Sequence, residues 1–181
     1  MIRIITELDH GYDNYKWEDA KNDRYEFMLP NVLVGWKLFY PKQDDKHIEM
    51  TISGLEAVYK ILQSKARAGK DINEGKKFKT RWGDGVAAYT LNQTVLDLAI
   101  KMGFAVAVTK DPSRGNVRVT GSNNFGVDLT PVYETVCKKD PEATWFLHSS
   151  KVLLRNGSTR NPTMRPTKLE LDEMIEVLEK A

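Results

Sequence analysis

The sequence of 181 residues has only one cysteine, no long apolar run and no large excess of charge of either sign. The single cysteine, Cys137, excludes an internal disulfide. No apolar run approaches the ~20 residues that a membrane-spanning helix needs. Glu7 follows the start too closely for a signal peptide. We therefore expect a cytoplasmic protein that has no membrane partner.

Several catalytic fingerprints are missing as well. The chain has no GxSxG nucleophile elbow, no phosphate-binding P-loop and no dinucleotide-binding fingerprint. Acidic and imidazole groups cluster tightly only in "ELDHGYD", which holds Glu7, Asp9, His10 and Asp13. A two-metal hydrolase needs more ligands than these. We therefore assign no catalytic residue and no metal ligand, and a hydrolase that uses Asp9, His10 and Asp13 is the least favoured of three hypotheses.

The net charge is only +2, but the charges are unevenly distributed. No acidic residue occurs between Glu142 and Glu170, a segment that includes several basic residues. They are Lys151, Arg155, Arg160, Arg165 and Lys168. This segment is suited to face an anion.

Apolar periodicity predicts the secondary structure. From Thr51 the apolar positions predict a helix that ends near Gly69, and the charged segment up to Arg81 is either a further helix or a linker. The order of "VAAYTL", "TVLDLAIKM" and "FAVAV" predicts a β–α–β unit with a parallel strand pair. The helical positions are Ile52, Leu55, Tyr59, Leu62 and Ala66.

Further elements follow toward the C-terminus. "VRVTGS" predicts a strand, Asp128 or Thr130 caps a helix, and "TWFL" and "KVLL" predict two short strands. A capping box from Thr167 to Glu170 predicts the start of the last helix. The fold class is therefore α/β, with a mostly helical connector arm over residues 1–84. Residues 85–181 form a small mixed or parallel sheet domain flanked by helices.

A candidate binding segment is "TWFLHSSKVLLRNGST", residues 144–159. His148 and Ser149 follow an apolar run, and Arg155 and Asn156 return to the same neighbourhood if the chain forms a hairpin. Imidazole, hydroxyl and guanidinium groups donate hydrogen bonds to phosphate oxygens. A polar hairpin with an ordinary surface histidine explains the same pattern, and the residues alone leave both interpretations open.

The order of three segments resembles the C-terminal half of the DHH phosphoesterase superfamily, which includes RecJ-like exonucleases and hydrolases of short oligonucleotides. The segments are "LDHGYDNYKW", then "VAAYTLN" with "FAVAV" and "VRVTGS", and finally "VDLTPVYETV" with "TWFLHSS". The resemblance covers nearly the whole chain. It implies that residues 85–181 bind substrate, and that the catalytic half, with its Asp-His-His motif, lies outside this chain.

The resemblance also implies roles for individual residues. His148 and Arg118 would hold phosphate, as the family's histidine and arginine do, and Ser149, Arg155 and Asn156 would support them. The family has glycines before the histidine, whereas this chain has Ala143 to Leu147, so backbone amides could not cradle phosphate in the same way. Trp145 could instead stack a base.

The leading hypothesis from the sequence is therefore the substrate-binding half of a DHH-type phosphoesterase, which binds nucleotides or short single-stranded nucleic acid. Its partners would be a separate catalytic DHH subunit or a second copy of the chain. No cofactor is expected within this chain, and a paired catalytic half would use manganese or magnesium as a phosphodiesterase or exonuclease. The alternative is a non-catalytic binding or assembly module that pairs with a partner protein through the apolar and aromatic residues 25–40.

Overall fold

The computed structural model describes residues 28–157, 161 and 163–181. The chain divides into two compact units, Met1–Gln63 and Ser64–Ala181. The cluster in "ELDHGYD" lies outside the described residues. Within the ranges that the structure describes, no helix is both long enough and apolar enough to cross a membrane.

Two helices occupy the described part of the N-terminal arm, as the sequence predicts. Helix α1 spans Leu29–Phe39, with Pro30 in its first turn, where a missing N–H costs no hydrogen bond. Helix α2 spans Asp44–Glu74 and is longer at both ends than predicted. Its first turn carries Asp44 and Asp45, whose charges favour a helix N-terminus. Gly69 does not end the helix, because a glycine is tolerated inside a long helix at a modest cost.

The second unit contains a six-stranded sheet in the order β1-β2-β3-β4-β6-β5. Strands β2 and β3 are parallel, as predicted, and the other neighbours are antiparallel, so the sheet is mixed. This arrangement confirms the α/β class. The elements are β1 Lys76–Thr80, β2 Gly83–Tyr89, α3 Thr94–Lys101, β3 Val106–Lys110, β4 Val117–Gly121, α4 Thr130–Lys139, β5 Phe146–Leu147, β6 Leu153–Arg155 and α5 Leu171–Lys180.

Strand β1 replaces the helix or linker expected before Arg81. Its sequence "KKFKT" looks like a charged connector, but Phe78 is buried and the strand pairs with β2 at one edge of the sheet. Lysines are typical of edge strands, because they oppose pairing with other chains. The sheet thus begins before residue 85, and the compact unit begins at Ser64, earlier than the predicted boundary after residue 84.

The two faces of the sheet are covered differently. One face packs against α4 and α5 and forms the larger core, whereas the other packs against α3 and the end of α2. Because paired residues share a face of the sheet, the register assigns the strand residues to these faces. The larger core contains Ala87, Val108, Val119 and Leu154, and the α3 face has Ala88, Thr109, Arg118, Arg155 and Phe146 at the matching positions.

The helix caps correct two expectations. Asp128 accepts a hydrogen bond from the Thr130 N–H at 2.8 Å, but Leu129, and not Asp128 or Thr130, is the N-cap residue of α4. The capping box of α5 is formed by Glu170 and Glu173, and not by Thr167 and Glu170. The prediction of the Thr167 box is wrong because the Thr167 hydroxyl donates to Asp140, 27 residues earlier in the chain.

Candidate functional site

A cleft of about 850 Å³ opens on the α3 face of the sheet. Helix α3 covers β3 and the adjoining part of β4, and the cleft extends from this helix over β6 and β5. Its volume lies in the range of roughly 300–1,000 Å³ that is common for small-molecule sites. Its lining comprises Gln93, Leu96, Asp97, Arg118, Thr144, Trp145, Phe146, Arg155, Gly157, Asn161, Thr163 and Met164.

Two arginines lie side by side in this cleft. Arg118 of β4 is directly opposite Arg155 of β6, and Arg155 is in turn opposite Phe146 of β5. Directly opposite residues of antiparallel strands point to the same face, with Cβ atoms roughly 5 Å apart. The register therefore places two guanidinium groups and one aromatic ring in a row across three strands.

The guanidinium of Arg155 is held by the protein. Its Nη1 donates to the Val119 carbonyl oxygen at 2.7 Å, and both terminal nitrogens lie 3.4 Å from the Thr120 hydroxyl. Burial lowers the pKa of Arg155, the charge of Arg118 lowers it further, and Asp97 opposes both effects. Because the pKa of an arginine side chain lies far above neutral pH in proteins, the group stays charged at neutral pH.

The guanidinium of Arg118, by contrast, makes no hydrogen bond or ion pair with any other residue that the structure describes. Arg118 is half-buried. The charged residue directly opposite it on β6 is Arg155, which has the same charge. Like charges directly opposite each other destabilise an antiparallel pair. An anion between the two guanidinium groups would offset this repulsion.

Two adjacent aromatic residues, Trp145 and Phe146, differ in burial: the first is buried in the core and the second is exposed in the cleft. Trp145 is only 8% exposed, and it packs in the larger core under α4 and α5. Phe146 is 52% exposed and shares a face with Arg155. Successive side chains of a strand point to opposite faces, which explains the difference. The aromatic ring available to a ligand is therefore Phe146, although the sequence led us to expect Trp145.

His148 and Ser149 lie at the turn of the β5–β6 hairpin. The His148 N–H donates to the Leu153 carbonyl at 2.9 Å, and the turn closes through the Lys151 N–H and the His148 carbonyl. His148 Nδ1 accepts the Ser150 N–H at 3.1 Å, so the neutral ring carries its proton on Nε2. Both residues are exposed, and neither lines the cleft, but the His148 ring contacts Phe146.

Asn156 is fully buried, and its side chain is occupied by the protein backbone. Nδ2 donates to the carbonyl oxygens of Thr144 at 2.9 Å and of Arg165 at 3.1 Å. Oδ1 accepts the Thr167 N–H at 2.6 Å, and the backbone oxygen of Asn156 accepts from Asn116 Nδ2. With both amide hydrogens used, Asn156 positions the wall of the cleft, and this geometry leaves it no donor for a phosphate.

A second polar anchor holds the same wall. The carboxylate of Asp140 accepts the Thr167 hydroxyl at 2.8 Å and the Lys168 N–H at 2.7 Å. Burial acts to raise the pKa of Asp140, but these hydrogen bonds and that of Ala143 outweigh it, so the pKa is below its usual value. Arg165, Thr167 and Lys168 are thus held by hydrogen bonds to Asn156 and Asp140, although no helix or strand includes them.

Several groups in the cleft were not predicted from the sequence. Asp97 lies on α3, and Gln93 is the N-cap residue of this helix, whose sequence gave only an apolar signal. Trp145, and not its neighbour Phe146, was predicted from the sequence. The alternation of a short strand signals that these two aromatic residues face opposite ways, but not which one faces outward. In the part of the chain that the structure describes, no group of three or more His, Cys, Asp or Glu could hold a metal ion.

The fold and the cleft together define an α/β domain with a cleft on one face of its sheet that is lined by two arginines. No family model matches the chain, and neither a curated protein nor a solved structure matches it.

Proposed function

We propose that this protein binds nucleotides or short single-stranded nucleic acid through their phosphate groups in the cleft. The observation that carries the proposal is the pair of guanidinium groups at Arg118 and Arg155, which lie opposite each other on neighbouring strands. Guanidinium groups bind phosphate through paired N–H donors and keep their charge at all physiological pH values. Arg118 has no partner among the described residues, so its donors are available.

The wider hypothesis is that the domain serves as the substrate-binding half of a cytoplasmic DHH-type phosphoesterase. In that case a separate catalytic subunit would supply manganese or magnesium and the hydrolytic step. The described residues offer no cluster that fits such a metal, so we derive no step of hydrolysis for this chain. In this hypothesis Arg118 and Arg155 hold the substrate phosphate, and His148, which lies outside the cleft lining, has no phosphate contact assigned to it.

Replacing Arg118 with glutamine is the direct test of the phosphate site. We expect the affinity for a short oligothymidylate, measured by isothermal titration calorimetry at low salt, to fall roughly tenfold or more, because charge-assisted hydrogen bonds are worth about 1.5–3 kcal/mol each. The affinity of the unchanged protein should also fall as salt is added.

The matched control for this variant is Arg81→Gln. Arg81 is exposed in the turn between β1 and β2, and β1 is the edge strand farthest from β5 in the sheet. This variant removes the same charge and should leave the affinity within about twofold, since a single distant surface charge is largely screened. Failure of the unchanged protein to bind the oligonucleotide at low salt would refute the proposal, and equal losses in both variants would show that only net charge matters.

Helix α1 supports the second candidate function, a non-catalytic assembly module. Leu38 and Phe39 at the end of this helix are 81% and 82% exposed, and exposed apolar groups of this size are typical of association surfaces. We expect light scattering to give the mass of a dimer or larger assembly, and the double substitution Leu38→Ser and Phe39→Ser to return it to a monomer. A monomer at all concentrations before substitution would exclude this candidate.

A further inference from the structure

We propose that Phe146 is the stacking platform for an unpaired base, so that the cleft selects base-bearing phosphate esters over base-free ones. This inference rests on the proposed function, since it assumes that the arginine pair binds phosphate. It adds a determinant of specificity, because guanidinium groups alone would accept any phosphate ester. The determinant is one aromatic side chain whose place in the sheet is set by its pairing with Arg155.

The first argument is the exposure of Phe146. Half of its side chain is open to solvent, while the residues on either side of it, Trp145 and Leu147, pack against the larger core. The ring lines the cleft directly beside a charged residue. A ring in this position adds nothing to the core behind the sheet, but it offers an apolar surface to a ligand.

The second argument is the support of the ring. The His148 ring meets the Phe146 ring in a T-shaped arrangement, with centroids 6.4 Å apart and planes at 73°. The hydrogen bond from the Ser150 N–H to His148 Nδ1 fixes the imidazole in turn. Aromatic pairs favour this geometry, so His148 positions Phe146 from the hairpin turn.

The third argument is the spacing. Neighbouring strands lie about 4.8 Å apart, and the order β4-β6-β5 places Arg155 one strand and Arg118 two strands from Phe146. The backbone positions of Arg155 and Arg118 therefore lie about 5 and 10 Å from that of Phe146. A single nucleotide spans this separation from its base to its own phosphate. A base in a duplex is already stacked on both faces, so the arrangement favours free nucleotides and single strands.

The test compares two ligands that carry the same phosphate monoester, adenosine 5′-monophosphate and ribose 5-phosphate. Calorimetry on the full chain should show that the unchanged protein binds the nucleotide at least about fivefold more tightly, as expected for one stacked base. Phe146→Ala and Phe146→Leu should both lose this preference while keeping their affinity for ribose 5-phosphate. Phe146→Trp should retain the preference, because it restores an aromatic face.

Phe125→Ala is the matched control. Phe125 is also about half exposed, and it lies outside the cleft, so this variant should keep the preference for the nucleotide. If the unchanged protein binds both ligands equally, the inference fails and the phosphate site stands. If it binds neither, the proposed function itself fails. A preference that persists in both Phe146→Ala and Phe146→Leu also overturns the inference, and the leucine variant keeps an apolar side chain in case alanine impairs folding.

Discussion

Replacing Trp145 with alanine is expected to lower the free energy of unfolding by about 3–5 kcal/mol, the usual cost of removing a large aromatic side chain from a core. Trp145 is 8% exposed and packs in the core formed with α4 and α5. Reversible urea denaturation, followed by circular dichroism, measures the change. The same substitution at Phe146 should cost much less, about 0.5–1 kcal/mol, because half of that side chain is already exposed and it is not part of the core.

A third variant separates packing from hydrogen bonding at this position. The buried indole N–H of Trp145 has no hydrogen-bond partner among the described residues. Trp145→Phe removes this unsatisfied donor and keeps most of the buried apolar area, so its cost should be well below that of the alanine variant. A larger loss from Phe146→Ala than from Trp145→Ala would show that the assignment of the two rings to opposite faces is wrong.

Asn156→Ala is the second substitution with a large expected effect. It leaves the carbonyl oxygens of Thr144 and Arg165 and the N–H of Thr167 without the partner that the side chain provided. Each buried polar group that loses its hydrogen bond costs about 1–3 kcal/mol, and water entering the space would recover part of this. We therefore expect the free energy of unfolding to fall by about 3 kcal/mol in the same urea experiment.

Asn124→Ala provides the comparison for that substitution. Asn124 is exposed in the short 3₁₀ turn Asn123–Phe125, so its removal should change stability by no more than about 0.5 kcal/mol. The proposed role of Asn156 as a positioning residue also predicts weaker nucleotide binding in Asn156→Ala, because the wall of the cleft loses its support. Unchanged stability in this variant would contradict the hydrogen-bond network around Asn156.

The parts of the fold that local sequence determines were predicted correctly. The β–α–β unit is an example, because Val95 and Ala99 recur on one side of a short helix between two apolar runs. The parallel pairing of β2 and β3 then follows from the length of the connection. The hydrogen bond from the Thr130 N–H to Asp128 is similarly local, although Leu129 and not Asp128 is the N-cap residue of α4.

The errors arose where distant residues decide the structure. The lysines of β1 suggest a solvated connector, and only pairing with β2 and the burial of Phe78 make the segment a strand. Thr167 has the side chain of a helix cap, but Asp140 engages it from another part of the chain. Neither interaction leaves a periodic signal in the sequence.

The candidate site was likewise predicted only in the features that local sequence determines. Basic residues in an acid-free segment pointed to an anion, and Arg155 does lie in the cleft. Its juxtaposition with Arg118 depends on the pairing of β4 with β6, which no local pattern reveals. Asn156 was expected to support a phosphate, and its actual hydrogen bonds go to backbone groups between nine and 12 residues away in sequence.

The irregular segment formed by residues 163–169 has a consequence for affinity. Thr163 and Met164 line the cleft, and the Asn156 and Asp140 hydrogen bonds fix the backbone just after them. Association normally costs about 0.5–1.5 kcal/mol for each side chain that it immobilises, with more for an ordered loop. Since the backbone from Arg165 to Lys168 is already held in place, a ligand would spend less contact energy on ordering this side of the cleft.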